Sequence, residues 1–124
     1  MIKYAVAVSV AVVMGAVVAG FSQGQSPAPC EVGAPPTAEQ IARRRLAING
    51  ARQINTAEAK TSATSKRFVP LSQLTGVSLP AGFEAQVSTD GTSYTFSIKD
   101  MQDACKFAVF SDQTGVIYTA SPLQ

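Results

Sequence analysis

The sequence contains no histidine and no tryptophan, only two cysteines, and charged side chains at 15% of its positions. Each scarcity removes a class of function. Without histidine, a Ser-His-Asp type hydrolase has no base, and no G-x-S-x-G string is present. A Ser-Lys dyad is open to the composition, but no pattern points to one. Two cysteines and no histidine fall short of a structural zinc site, and no C-x-x-C redox motif occurs. No stretch has EF-hand spacing. A formal net charge of +2 is too small to argue for a polyanionic partner, so no nucleic-acid partner is expected. No cofactor and no metal is implied, and the chain reads as non-enzymatic.

At 124 residues, with 46% hydrophobic residues, the chain has the length of one small folded domain. Lys3 precedes an uncharged run from Tyr4 to Phe21. A basic start, an apolar stretch and small residues at Val17-Val18-Ala19-Gly20 read as a signal peptide over residues 1–20, cut after Ala19 or Gly20. The rival reading is an uncleaved anchor over residues 4–21, since about 18 apolar residues just span a bilayer. Both place the remainder outside the cytoplasm, periplasmic or secreted in the first case and anchored in the inner membrane in the second. Cys30 lies too far from the apolar run for a lipoprotein. Residues 21–36, rich in Pro, Gly, Ser and Gln, read as a linker.

The segment around which the rest is organised runs from Thr37 to about Ser65 and is predicted to be one long helix. Thr37 with Gln40 fits a capping box, and Pro35-Pro36 stop the helix from extending upstream. Glu39 suits the first turn and lies four residues before Arg43, the favourable order for an ion pair. At about 100° per residue, Ile41, Ile48, Ala51, Ile54 and Asn55 share one side, with Leu46 pointing away. Asn49-Gly50 is the weak point, where the helix would bend or divide in two.

Beyond Lys66-Arg67 the apolar residues Phe68, Val69, Leu71, Leu74, Val77 and Leu79 suit a connection lying on a core, with one helical turn at Pro70–Leu74. Pro80-Ala81-Gly82 ends it. The period then becomes two. Phe83, Ala85 and Val87 alternate with Glu84, Gln86 and Ser88, and after an Asp90-Gly91 hairpin signal Tyr94, Phe96 and Ile98 alternate with Thr95, Ser97 and Lys99. A third strand is predicted from Cys105 to Ser111, a turn at Asp112–Gly115, and a fourth strand from Val116 to Thr119. An antiparallel meander with one apolar face needs a cover, and the amphipathic helix supplies it. The expected fold is α+β, one long helix on a four-stranded antiparallel meander over residues 37–124.

Two cysteines in an exported chain suggest a Cys30–Cys105 disulfide, structural in role, pinning the tail to the third strand. Two unpaired thiols or an intermolecular bridge are the alternatives. Arg43, Arg44, Arg45, Arg52, Lys66 and Arg67 have the chemistry to meet nucleic acid or anionic lipid. Three consecutive helical residues spread over roughly 200°, however, which makes a solvated face the expectation. Asp100, Asp103 and Asp112, taken to flank connections at one end of the sheet, are turn residues by composition, with calcium ligation as the rival reading.

Four strings in order resemble the globular part of type IV pilins and the related pseudopilins of type II secretion. They are Arg52-Gln53-Ile54-Asn55-Thr56-Ala57-Glu58, Leu79-Pro80-Ala81-Gly82-Phe83, Asp90-Gly91-Thr92-Ser93-Tyr94, and Phe110-Ser111-Asp112-Gln113-Thr114-Gly115-Val116-Ile117-Tyr118. The resemblance covers residues 43–124. It implies a pilin-like fold, a structural role, and other pilin-like or envelope proteins as partners. The front of the chain departs from the family. Pilins carry a short leader cut before Phe or Met and a Glu five residues into an apolar helix continuous with the globular domain. Here no charge interrupts Tyr4 to Phe21, and Pro27, Pro29, Pro35 and Pro36 break the continuity. The readings that follow are an exported pilin-like accessory module, an anchored minor pilin or pseudopilin, and a small secreted enzyme or inhibitor on the same fold.

Overall fold

Thr37 starts the helix as its side chain predicts. Its Oγ1 accepts the Gln40 N–H at 3.1 Å, and the Gln40 Oε1 accepts the Thr37 N–H at 2.9 Å, a reciprocal cap. In the computed structural model, which describes residue 30 and residues 33–121, helix α1 then runs from Ala38–Ser65 without a break. It ends where Lys66 turns into the left-handed region at φ 59° and donates its N–H to Ser62 O. The expected signal segment 1–20 and most of the 21–36 linker lie outside the described residues.

A short 3-10 turn at Leu71–Gln73 interrupts the connection, and four strands follow: β1 Phe83–Thr89, β2 Tyr94–Asp100, β3 Ala108–Asp112 and β4 Tyr118–Ala120. They pair antiparallel in chain order, β1-β2-β3-β4, so the sheet is a simple meander. The fold is α+β. Alternation works as predicted. Tyr94, Phe96 and Ile98 of β2 are buried, and Val109 of β3 joins them. Against them lie Ala47, Ala51 and Ile54 of α1, with Phe107 closing the cluster. The connection also packs on this core, through Phe68, Leu71, Leu74, Val77 and Leu79. Edge-to-face contact of Phe68 on Tyr94, with ring centroids 4.8 Å apart, fixes its start.

Several predicted details move. The buried stripe of α1 is Ala47, Gly50, Ala51, Ile54, Ala57 and Glu58. Ile48 is half-buried against the core, whereas Ile41 is 40% exposed, as is Leu46. Small side chains face the sheet because the two layers approach closely. A Cβ on Gly50 would overlap the Leu79 side chain and stand 3.2 Å from Ile98 Cδ1. Gly50 is therefore a contact point, and packing offsets its low helix propensity. The Asp90-Gly91 hairpin is a four-residue loop, since Thr89 pairs with Tyr94. Asp90 Oδ1 accepts the N–H groups of Thr92 and Ser93, both at 2.8 Å, which draws two more residues into the turn. β3 starts at Ala108, not Cys105, and β4 is Tyr118–Ala120, not Val116–Thr119. Lys106 at φ 52° turns the chain just before β3.

Candidate functional site

The end of β2 and the loop that follows are clamped to the start of α1. Asp100 is 1% exposed, and Arg43 reaches it with both prongs of its guanidinium, Nε to Oδ2 at 2.6 Å and Nη2 to Oδ1 at 2.7 Å. Oδ1 also accepts the Gln102 N–H at 3.0 Å. The Arg43 guanidinium lies 4.6 Å from the centroid of Phe83, which shields the pair from water. Burial pushes the Asp100 carboxyl up, but the Arg43 hydrogen bonds, the Gln102 N–H and the guanidinium charge together outweigh it and hold the group below the usual carboxylate range. The Asp100 hydrogen bond in turn raises the Arg43 pKa.

Arg44 makes a looser copy of this arrangement. Its guanidinium sits 5.0 Å from the Phe107 centroid, and its Nε stands 4.0 Å from Asp103 Oδ2, an ion pair without a hydrogen bond. Asp103 Oδ1 accepts the Cys105 N–H at 2.8 Å and the Gln40 Nε2–H at 3.4 Å. Gln40 thus closes the helix cap and holds the loop. Cys105 is bonded to Cys30, with Cα atoms 4.8 Å apart. The predicted disulfide is present, but it anchors the tail to the β2–β3 loop and not to the third strand. Such a bond marks an oxidising, extracytoplasmic compartment.

These contacts revise three sequence readings. Arg43 and Arg44 are not part of a solvated face, because the loop carboxylates recruit them from more than fifty residues away; Arg45, Arg52, Lys66 and Arg67 remain exposed. The spacing of Glu39 suggests Arg43 as its partner, but Arg43 takes the buried carboxylate instead. Asp100, Asp103 and Asp112 do not share one end of the sheet. Asp112 pairs across from Thr95, at the opposite end of the sheet from Asp100, and its Oδ1 accepts the Thr114 N–H and hydroxyl. Among the described residues no group of three or more His, Cys, Asp or Glu is placed to hold a metal ion.

A second polar group crosses the core midway along α1. The Tyr94 hydroxyl donates to Asn55 Oδ1 at 2.7 Å, and Asn55 Nδ2 donates to Ser111 Oγ at 3.0 Å. Ser111 Oγ then donates to Val116 O at 2.7 Å, so helix, β2, β3 and the β3–β4 turn share one network. One turn on, Glu58 is fully buried. Its Oε2 accepts the Val69 N–H at 3.1 Å while Oε1 has no partner among the described residues. Burial pushes this carboxyl up, only partly opposed by the Val69 N–H. Glu58 occupies the seventh position after Ala51, so the helical period alone locates it on the buried side. Its charge concealed that placement.

Among the described residues nothing covers the sheet face turned away from α1. Gln86, Ser97, Phe110 and Tyr118 form one row across all four strands, each opposite the next. Ser88, Thr95 and Asp112 form the adjacent row. Together they line an open trough of about 660 Å³. Phe110 is 40% and Tyr118 58% exposed, an aromatic pair in register on a face whose other trough-lining residues are polar, with Asp112 as the one carboxylate among them. The sequence alternation places these residues outward without indicating that the row continues through four strands.

Comparison with protein-family models, with curated proteins and with solved structures returns no significant match. Among the described residues no helix is long and apolar enough to cross a membrane.

Proposed function

We propose that this chain is an exported, non-enzymatic domain of the pilin-like kind, acting as a structural or binding accessory module at the bacterial envelope. The observation that carries the reading is a long helix laid across one face of a four-stranded antiparallel meander, with no described residue packed on the opposite face. The disulfide supports export. The reciprocal cap at Thr37 favours an accessory module over an assembled filament subunit. A subunit of that family depends on an apolar stem running unbroken into the domain, whereas here the first N–H of the cap is already taken by Gln40.

Envelope proteins of similar fold are the expected partners. The test is the mature N-terminus, read by mass spectrometry on the chain recovered from fractionated cells. A start at Gly20 or Phe21 in the periplasm or medium supports the proposal. A chain that retains residues 4–21 in the inner membrane overturns it in favour of an anchored minor pilin or pseudopilin.

A further inference from the structure

The sheet face that no described residue covers has a composition that selects among partners. We propose that the trough across it binds a neutral glycan strand, with Phe110 and Tyr118 as the stacking platform. This rests on the reading of the domain as a binding module and names its partner class. The row Gln86-Ser97-Phe110-Tyr118 crosses three inter-strand gaps, about 14 Å at roughly 4.8 Å each, the span of a short oligosaccharide. At one end two half-exposed aromatic residues, Phe110 and Tyr118, stand opposite each other on β3 and β4. A pyranose presents a face of C–H groups carrying partial positive charge, and the π-face of an aromatic ring is negative, so the two stack. Gln86 and Ser97 along the rest of the row, and Ser88 and Thr95 in the adjacent one, offer amide and hydroxyl groups at the spacing of neighbouring strands. The hydrogen bonds nearby run among Thr89, Asp90, Ser93, Asp112 and Thr114 and leave those four side chains uncommitted among the described residues.

Charge narrows the choice further. Glu84 and Lys99 face each other across β1 and β2 and cancel. The Asp112 carboxylate is committed to Thr114. With one carboxylate at its edge and no cluster of either sign, the surface is not built for a polyanion or a polycation, and its complement is a ligand of hydroxyls with apolar edges. A second copy stacked sheet on sheet is a poor fit. Such packing needs apolar residues alternating on every strand, and β1 and β2 present only Glu84, Gln86, Ser88, Thr95, Ser97 and Lys99 outward.

The test is an amide-shift titration by NMR of the full exported chain, disulfide intact, with cellohexaose and chitohexaose as probes. Saturable shifts confined to Ser88, Thr95, Ser97, Phe110 and Tyr118, with Kd on the order of 1 mM or tighter, are expected. Phe110→Ala and Tyr118→Ala should each weaken binding roughly three- to tenfold at unchanged melting temperature, and Tyr118→Trp should retain it. Absence of shifts with either hexasaccharide overturns the proposal, as do shifts scattered outside the trough. Shifts that follow protein concentration without sugar would make the face a homotypic contact and equally overturn it. None of these failures touches the export reading, which the mature N-terminus decides.

Discussion

Replacing Arg43 by alanine isolates the interaction that holds the two layers together at the start of the helix. The side chain is 18% exposed and its partner Asp100 1%, so the change leaves a carboxylate in the interior with the Gln102 N–H as its remaining donor. Breaking one side of a buried pair costs about 3–5 kcal/mol, and the residual exposure of Arg43 argues for the lower figure. In a domain of this size each kcal/mol moves the melting temperature by roughly 4–8 °C, so a fall of about 12–24 °C is expected by calorimetry. Arg43→Met combined with Asp100→Asn should recover most of the loss, because no charge is stranded.

Acid titration supplies an independent sign. In the wild type Asp100 has a folded pKa below its ordinary 3.8, so its contribution is complete above that value and lost as pH falls through the folded one. In Arg43→Ala, burial is opposed chiefly by the Gln102 N–H, so the pKa should rise above the ordinary value and acidification should stabilise where it formerly destabilised. A loss under 1 kcal/mol, with an unchanged acid limb, would refute the idea that the pair is sequestered.

Cys30→Ser, or Cys105→Ser, should remove up to about 4.5 kcal/mol in the chain-entropy model for residues separated by 75 positions. Denaturant melts would register it at unchanged far-ultraviolet dichroism, and a difference within error would dismiss the bond as a stabiliser. Glu58→Gln should stabilise by about 1–3 kcal/mol at pH 8. Burial raises the Glu58 pKa, so wild-type stability declines as pH climbs from its ordinary 4.5 through the folded value, and the gap to the variant widens over the same interval. Parallel stability curves from pH 5 to pH 8 would contradict this. Gly50→Ala ought to gain about 1 kcal/mol from helix propensity alone, but the overlap with the Leu79 side chain and the tight approach to Ile98 Cδ1 should cancel that gain or turn it into a loss of about 1 kcal/mol. Adding Leu79→Ala should shrink that loss in a double-mutant cycle.

What was legible in the sequence is what short-range physics decides. Thr37 and Gln40 are three residues apart, and alternation in Phe83–Thr89 and Tyr94–Asp100 needs no knowledge of distant partners. The misplacements come from long range. Arg43 looked solvated because Asp100, fifty-seven positions away, announces itself only once β2 has been laid beside the helix. Ile41 looked buried because large apolar residues were taken to define the stripe, whereas the true interface selects alanine and glycine for closeness. Glu58 belongs to the same error from the other direction, a charged residue that the helical period buries. The outward aromatic row shows a further limit, for Phe110 and Tyr118 become neighbours only through the register of β3 with β4.

The disulfide also decides how the molecule meets mechanical load. Tension applied at Cys30 passes through sulfur into the β2–β3 loop and from there into two hydrogen-bonded strands, while the Pro35-Pro36 segment stays slack. The helix is spared from being unzipped from its capped end, and the sheet is made to resist first. Reduction of that one bond would reroute the pull directly onto the Thr37 cap, converting a stiff tether into a compliant one.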